Sequence, residues 1–361
     1  MLQILLLNAP CNGNGDVVFC IKISNYFQHW YKCKVTIATT QIKIFNIIGG
    51  TKADIIELKG NYEDMMCVRF KKLKFSKKIY KQDLIFVTPL HVDFNISYLD
   101  VKQLINYSNK YNTFFFSEYN DTLDKKFQLP TGIGDNRLGL LLTDTKITGK
   151  ISKLKNNYVV IYVLNYSFHE VEKCTNSFIQ MVCSKYSKLY KNFDIVVPYW
   201  FSNEYITNKL IKIISKYFTK IVLHIRLNKK ELLYTSRHSG GVDNILTIRA
   251  DILPLQNKNM LKLYKNSEED ILVTGDQSLT DILSCCPEKN IFYQIVPWKT
   301  SFAKSLSKLM PNNYIKSPKT SCGSLVAIKY KKKDYTKFIS KWDFRILGKK
   351  VLDNIINNLN S

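Results

Sequence analysis

A chain that runs strand, glycine turn, helix, strand within about thirty residues has few folds open to it. Ser267–Trp298, SEEDILVTGDQSLTDILSCCPEKNIFYQIVPW, runs that way. Ile271 to Val273 is an apolar run of strand length, bounded by polar residues. Gly275 breaks it, and Asp276, Gln277 and Ser278 are residues that favour a helix start. Leu279, Ile282 and Leu283 follow at helical spacing until Pro287, and Ile291 to Val296 reads as the next strand. The turn of such a unit presents free backbone N–H groups at the positive end of a helix dipole, which suits phosphate. The alternative is a purely structural helix capped by Asp276 and Ser278. Tyr293 and Gln294, on the following strand, add polar groups where the rest of a nucleotide is expected.

The same alternation fills the chain. In the first part, strands are predicted at Gln3 to Leu7, Val35 to Ala38, Asp54 to Leu58, Leu84 to Thr88 and Thr113 to Phe116. Helices are predicted at Val17 to Phe27 and Val101 to Tyr107, with a basic, solvated connection from Arg69 to Lys81. The pattern loosens from Leu129 to Gly149, a glycine-rich stretch expected to form an acceptor-facing loop before a boundary near residue 150. Beyond it, strands are predicted at Tyr158 to Leu164, Asp194 to Val197, Lys220 to Ile225, Ile245 to Ile248 and Ser324 to Tyr330, besides the two already named. Helices are predicted at Glu170 to Tyr186, Glu204 to Tyr217, Asn259 to Tyr264, Tyr335 to Trp342 and Leu347 to Leu359. The expected fold class is α/β, with two Rossmann-like domains facing across a cleft. Their predicted spans are 1–150 and 151–334, with 335–361 as helices packing back on the first domain.

The 361 residues exceed one ordinary core, which agrees with two domains. Lys+Arg 53 against Asp+Glu 29 gives a net charge of +24, which suits an anionic surface, nucleic acid or an anionic substrate. Lysines spread over solvated faces would give the same number. No RNP, KH or zinc motif accompanies the charge. Among the nine cysteines there is no C-x-x-C pair, and the odd count without a signal peptide points to a reducing, cytoplasmic location. No stretch has the ~18 apolar residues of a spanning helix, so no transmembrane segment is expected.

The second informative turn is Asn12-Gly13-Asn14-Gly15-Asp16, which follows the first strand and opens the first helix. It is neither the dinucleotide fingerprint nor a P-loop. Asp16 there fits a general base toward an acceptor, and equally a helix cap.

Taken together, these segments resemble the GT-B glycosyltransferases, and within them the bacterial protein-arginine rhamnosyltransferases. NGDVVFCIKISNYF resembles the Phe-Gly-Asp-Ile-Gly-x-x-x-Arg-Leu-Ala opening of that family, and FFFSEYN its Asn-Leu-Glu-Tyr strand end. ILPLQNKNMLKLYKNSEEDILVTGDQSLTDILS is similar to its Pro-Gln loop followed by Gly-Glu-Asp-Ser-Phe, and FYQIVPW to its Trp-Gln-Ile-Tyr-Pro-Gln. The likeness keeps the family's order over about a third of the chain. It implies a GT-B architecture, with Asp16 as general base and Gln256, Ser278 and Gln294 at the nucleotide-sugar site. Asp276 stands where the family has Glu, Gln277 where it has Asp, and Val296 and Trp298 where it has Tyr and Gln.

The implied activity is transfer of a sugar from a nucleoside-diphosphate sugar to a protein or glycan acceptor, with no cofactor and no metal. The sequence holds no Asp-x-Asp triplet of the kind that grips a metal–diphosphate. Negative charge on the leaving diphosphate would be met by the Gly275–Thr280 turn and by a cation, for which Arg249, Lys299 and His238 are candidates, each of which also fits a plain surface charge. Two other classes fit the same chain: a basic nucleic-acid-binding protein, and a GT-B fold retained without catalysis.

Overall fold

The computed structural model describes residues 1–8, 10, 14–60, 73–74, 82–90, 112–120, 129–143, 146–226, 229–236, 244–286, 288–309, 315–316, 325–328, 337–338 and 340–359. The chain divides into two compact units. One is Met1–Thr143 with Ser301–Leu309 and Lys337–Ser361; the other is Asp144–Thr300 with Met310–Thr336.

The first unit has β1 (Gln3–Asn8), β2 (Lys34–Thr39), β3 (Asp54–Glu57), a short antiparallel pair β4 (Lys59–Gly60) and β5 (Leu73–Lys74), β6 (Leu84–Leu90) and β7 (Thr113–Ser117). Its main sheet runs β3-β2-β1-β6-β7 and is parallel throughout. β1 is central, and Ile4 to Asn8 are all buried, which is why the strand reads as an unbroken apolar run. Helix α1 (Gly15–Tyr31) carries the chain from β1 to β2, burying Val17, Phe19, Cys20, Ile21, Ile23 and Phe27. A side chain of this size fully buried contributes about 1.5–3 kcal/mol. A shorter helix, α2 (Ile42–Ile48), follows β2.

The second unit contains β8 (Asn157–Tyr162), β9 (Asn192–Val196), β10 (Lys220–Ile225), β11 (Lys229–Thr235), β12 (Ile245–Arg249), β13 (Asp270–Val273), β14 (Asn290–Gln294), β15 (Ile315–Lys316) and β16 (Leu325–Ile328). Its sheet order is β11-β10-β12-β9-β8-β13-β14-β16-β15. The strands from β10 to β14 pair in parallel, and both edges are antiparallel. The helices are α3 (Phe168–Tyr186), α4 (Phe201–Glu204), α5 (Asn208–Ile214), α6 (Asn257–Asn266) and α7 (Asp276–Cys285). One face of the sheet, with Val159, Ile161, Phe193, Ile195 and Ile248, packs on Phe178, Val182 and Leu210 from the helices. Both units are therefore α/β with parallel-dominated sheets, the class the alternation predicts.

The last elements are α8 (Thr300–Leu309) and α9 (Phe344–Asn357). Phe302 of α8 meets Tyr119, and Phe344 of α9 meets Tyr26 and Phe116, all within the first unit. The division thus falls between Thr143 and Asp144, and Ser301–Leu309 counts with the first unit rather than with a continuous 151–334 domain.

Four local expectations differ from the structure. The glycine-rich stretch has no helix or named strand among its described residues, as expected, but much of it is packed: Leu129, Thr131, Ile133, Leu140, Leu141 and Leu142 are buried. Two of its glycines serve close packing: a Cβ on Gly132 (φ +113) would lie 2.2 Å from Asn120 Oδ1, and one on Gly139 (φ +90) 2.6 Å from the Trp342 carbonyl oxygen. The single helix expected at Glu204 to Tyr217 is broken, since Tyr205 turns into the core and Thr207 starts a new helix by accepting from the Leu210 N–H. The strand from Ile291 stops at Gln294, and a 3-10 turn, Pro297–Lys299, follows. Lys229–Thr235, too polar to signal a strand, forms the exposed edge strand β11. The predicted helix Val101 to Tyr107 and most of Arg69 to Lys81 lie outside the described residues, and Tyr335 to Trp342 is described only in part.

Candidate functional site

In the second unit the order of strands reverses at β8, with β9 on one side and β13 on the other. A crevice opens at the carboxyl ends of strands where such a reversal occurs. Three contacts build its floor. The Thr274 N–H donates to the Tyr162 carbonyl at 2.8 Å, and the Thr274 hydroxyl donates to the Gln294 carbonyl at 3.2 Å. The Gln294 side chain then crosses to the segment after β8, accepting from the Leu164 N–H at 2.9 Å and donating to its carbonyl at 3.2 Å. Gln294 is thus fully buried and committed to the backbone. It orders the rim of the crevice.

Above that floor, Gly275 precedes α7 with φ +79 and ψ 154, a conformation essentially restricted to glycine. A Cβ placed there would meet nothing within 4 Å, so the backbone of the turn is open. No side-chain hydrogen bond caps the helix. Within the helix, the Thr280 hydroxyl donates to the Asp276 carbonyl at 2.6 Å.

The electrostatics of the turn are set by Lys299. It was a candidate solvated charge, yet it is only 6% exposed, and its ammonium donates to Asp276 Oδ2 at 2.8 Å. The two side chains are 7% and 11% exposed. A buried pair of this kind costs desolvation and survives because each charge has its partner. It brings a cation to the first residue of α7, from the 3-10 turn beyond β14. Gln277 is 4% exposed, and neither atom of its amide has a hydrogen-bond partner within the protein. Such a group costs about 1–3 kcal/mol unless something satisfies it. Ser278 is half-buried and lies beside Tyr264, a fully buried phenol whose pKa burial holds far above the ordinary value. Tyr293 is 1% exposed and belongs to the core, not to an open surface. Gln256 is exposed and occupies the cap position of α6, one element before β13, without a capping side-chain bond.

Arg249 does not join the turn. It is 7% exposed, its guanidinium grips Asp251 at 2.8 Å through two nitrogens, and it reaches Asp194 at 3.4 Å and the Lys153 carbonyl at 3.0 Å. Burial raises the Asp194 pKa against the pull of Asn156 and Arg249. Burial also acts to raise that of Asp251, but the bonds and charge of Arg249 outweigh it and hold it below the usual carboxylate range. Of the three cations proposed from sequence, Arg249 and Lys299 are therefore buried and paired. His238 lies outside the described residues.

The first unit repeats the plan, with its reversal at β1. Asn8, the last residue of β1, is fully buried. Its amide nitrogen donates to the Thr88 carbonyl at 2.6 Å and to the Asp16 carbonyl at 3.2 Å, and its oxygen accepts from Thr39 at 3.2 Å. One side chain ties β1, β2, β6 and the start of α1 together. Asp16 is the second residue of α1 and half-buried; the cap position belongs to Asn14. The reading of Asp16 as the cap is thereby corrected, and its carboxylate sits in the first turn, where the helix dipole favours negative charge. Asn8 was missed from sequence, although a polar residue ending an apolar strand before a glycine turn is a usable signal.

Among the described residues no group of three or more His, Cys, Asp or Glu could hold a metal ion, and no helix is long and apolar enough to cross a membrane.

No protein-family model matches the chain, and no curated protein sequence matches it. Solved structures are similar to it. A putative UDP-N-acetylglucosamine 2-epimerase from Listeria monocytogenes is similar at 8% identity, over 98% of this chain and 88% of that one, with a TM-score of 0.48. A UDP-GlcNAc 2-epimerase from Neisseria meningitidis, bound to UDP-GlcNAc, is similar at 11% identity over 99% and 100%, with a TM-score of 0.46. A glycosyltransferase from Rickettsia africae is similar at 11% identity over 99% and 94%, with a TM-score of 0.41. At this distance the function has to be argued from the site.

Proposed function

We propose that this chain uses a nucleoside-diphosphate sugar and, within that class, is a glycosyltransferase of the GT-B kind. The observation that carries the reading is the turn before α7. An open, uncapped helix start lies at the switch point of a parallel sheet, with a glycine-only backbone and a buried lysine at its first residue. Oriented N–H groups and a cation in a desolvated position are what a leaving diphosphate needs. The segment resemblance supports the sugar as the group transferred.

In this mechanism the diphosphate rests on the N–H groups of the turn, and Lys299 offsets the charge that develops as the anomeric carbon–oxygen bond breaks. Ser278 adds a hydroxyl at the same helix start. Asp16 takes the acceptor's proton, its first-turn position held by Asn8. The acceptor carries a nucleophile whose proton can be removed, on a protein or a glycan.

The direct test is thermal unfolding of the full chain with UDP, TDP, ADP and GDP and their sugars. A true ligand at 100 times its Kd stabilises by about 2.7 kcal/mol. Ser278→Glu, which sets a carboxylate where the diphosphate lies, should abolish that shift while the unliganded melting point holds. No stabilisation of the wild type by any of these compounds would reject the reading.

A further inference from the structure

The Gln294–Leu164 closure has a consequence for the residues that follow on either side. Four residues past Gln294 and two past Leu164, Trp298 and Tyr166 meet edge-to-face, with ring centroids 5.8 Å apart and planes at 80°. β14 and β8 flank β13 on opposite sides, so this pair lies at the carboxyl end of β13, where the Gly275 turn begins. Lys299, next in the chain after Trp298, is bonded to Asp276, the first residue of that turn's helix. Trp298 is nevertheless 45% exposed, while Lys299 beside it is 6% exposed. A large indole face is thus left in water at the rim of a site whose charged residue is buried.

We propose that Trp298, braced by Tyr166, is the platform on which the sugar ring of the donor lies, an inference that rests on the nucleotide-sugar reading above. The pair fits a sugar better than a nucleobase. Trp298 keeps 45% of its surface exposed within the pair, and a pyranose can lay a C–H face on such an aromatic surface while its hydroxyls turn outward. Those hydroxyls need both donors and acceptors. Gln277, at the second position of α7, has an amide nitrogen and an amide oxygen that both lack a partner within the protein at 4% exposure. Platform and amide together supply the two kinds of surface that a sugar presents, beside the turn assigned to the diphosphate.

The test is calorimetric titration of wild type, Trp298→Ala and Trp298→Phe with UDP-glucose, UDP-N-acetylglucosamine, TDP-rhamnose and GDP-mannose, each paired with its parent diphosphate. Trp298 is exposed, so the variants should fold, which circular dichroism checks. For a sugar donor that binds the wild type, Trp298→Ala should weaken binding about fivefold or more, while the parent diphosphate stays within about twofold and Trp298→Phe retains most of the affinity. Equal weakening of diphosphate and nucleotide sugar would overturn the proposal, because the ring would then contact base or phosphate. Unchanged binding of both would overturn it as well. A wild type that binds a diphosphate but none of the sugars would overturn the platform and leave the phosphate turn standing. A wild type that binds none of these compounds would overturn the platform and the donor reading together.

Discussion

The amide of Gln294 closes on both backbone polar atoms of Leu164, so a residue expected to touch a ligand instead joins two strand ends across a third. Gln294→Met removes both bonds and leaves a partly buried N–H and carbonyl at Leu164 without that amide, at a cost of about 1–3 kcal/mol. Gln294→Glu keeps an acceptor for the Leu164 N–H but sets a carboxylate oxygen against the carbonyl, and should be worse still. Urea unfolding of the three proteins gives the order. If Gln294→Met were as stable as wild type yet lost donor binding, the residue would be a ligand contact after all.

Asp276 and Lys299 should behave as one unit. Removing either alone, by Asp276→Asn or Lys299→Met, takes this ion-pair partner from the other at a mostly buried position and should cost about 3 kcal/mol. The double variant should recover more than half of the summed loss, because neither charge then remains. Additive losses would mean that the pair carries no coupling. Nucleotide affinity should fall in Lys299→Met and stay low in the double variant.

The Arg249 cluster predicts a pH dependence of known sign. Asp251 has a folded pKa below its unfolded value, so its stabilising contribution is present above the unfolded pKa of about 3.9 and is lost as pH falls through the folded value. Asp194, whose folded pKa is raised, acts in the opposite sense and costs stability above that pKa. Arg249→Met removes the cation that both carboxylates face. The loss should be about 3 kcal/mol at pH 7 and clearly smaller at pH 3.5, where the carboxylates take up protons. Denaturant unfolding at the two pH values measures it, and an equal loss at both would refute the account.

Asp16→Asn separates chemistry from structure. The cap position is Asn14, and the charge that the substitution removes sits in the first turn, where the helix dipole makes it worth about 0.3–1 kcal/mol. If Asp16 is the general base, the transfer rate should drop about 10²–10⁴-fold with donor affinity nearly unchanged. Comparable turnover by the two proteins would remove Asp16 from the mechanism.

The parts of this molecule that were legible in sequence are those whose signal is local. Apolar runs such as Gln3 to Leu7 and Ile271 to Val273 sit in sheet centres because both of their faces are buried, and the glycine after the second, Gly275, lies at the strand end as expected. What escaped depends on distant partners. Lys299 and Asp276 are 23 residues apart, so nothing near that cation announces that it is buried; Arg249 has Asp251 two residues on, but its burial beside Asp194, 55 residues away, is set by the sheet. The packed glycines of 132 and 139 looked like loop residues because their neighbours, Asn120 and Trp342, come from elsewhere in the chain. Exposed β11 failed for the opposite reason: an edge strand has no face to fill with apolar residues.

The first unit draws on residues from both ends of the chain: Leu140 exchanges backbone hydrogen bonds with Trp342 and Phe344, and Tyr119 rests on Phe302. During synthesis, the strands from Gln3 to Ser117 leave the ribosome long before α8 and α9 exist. The described strands of the second unit are all present once β16 has been made, so it can close earlier. The first unit must wait, with Phe116 lacking its Phe344 contact, until the last thirty or so residues emerge at about 5–20 residues per second. A nascent chain halted shortly after Ile328 should therefore resist protease from Asp144 onward while its amino-terminal portion is still cut.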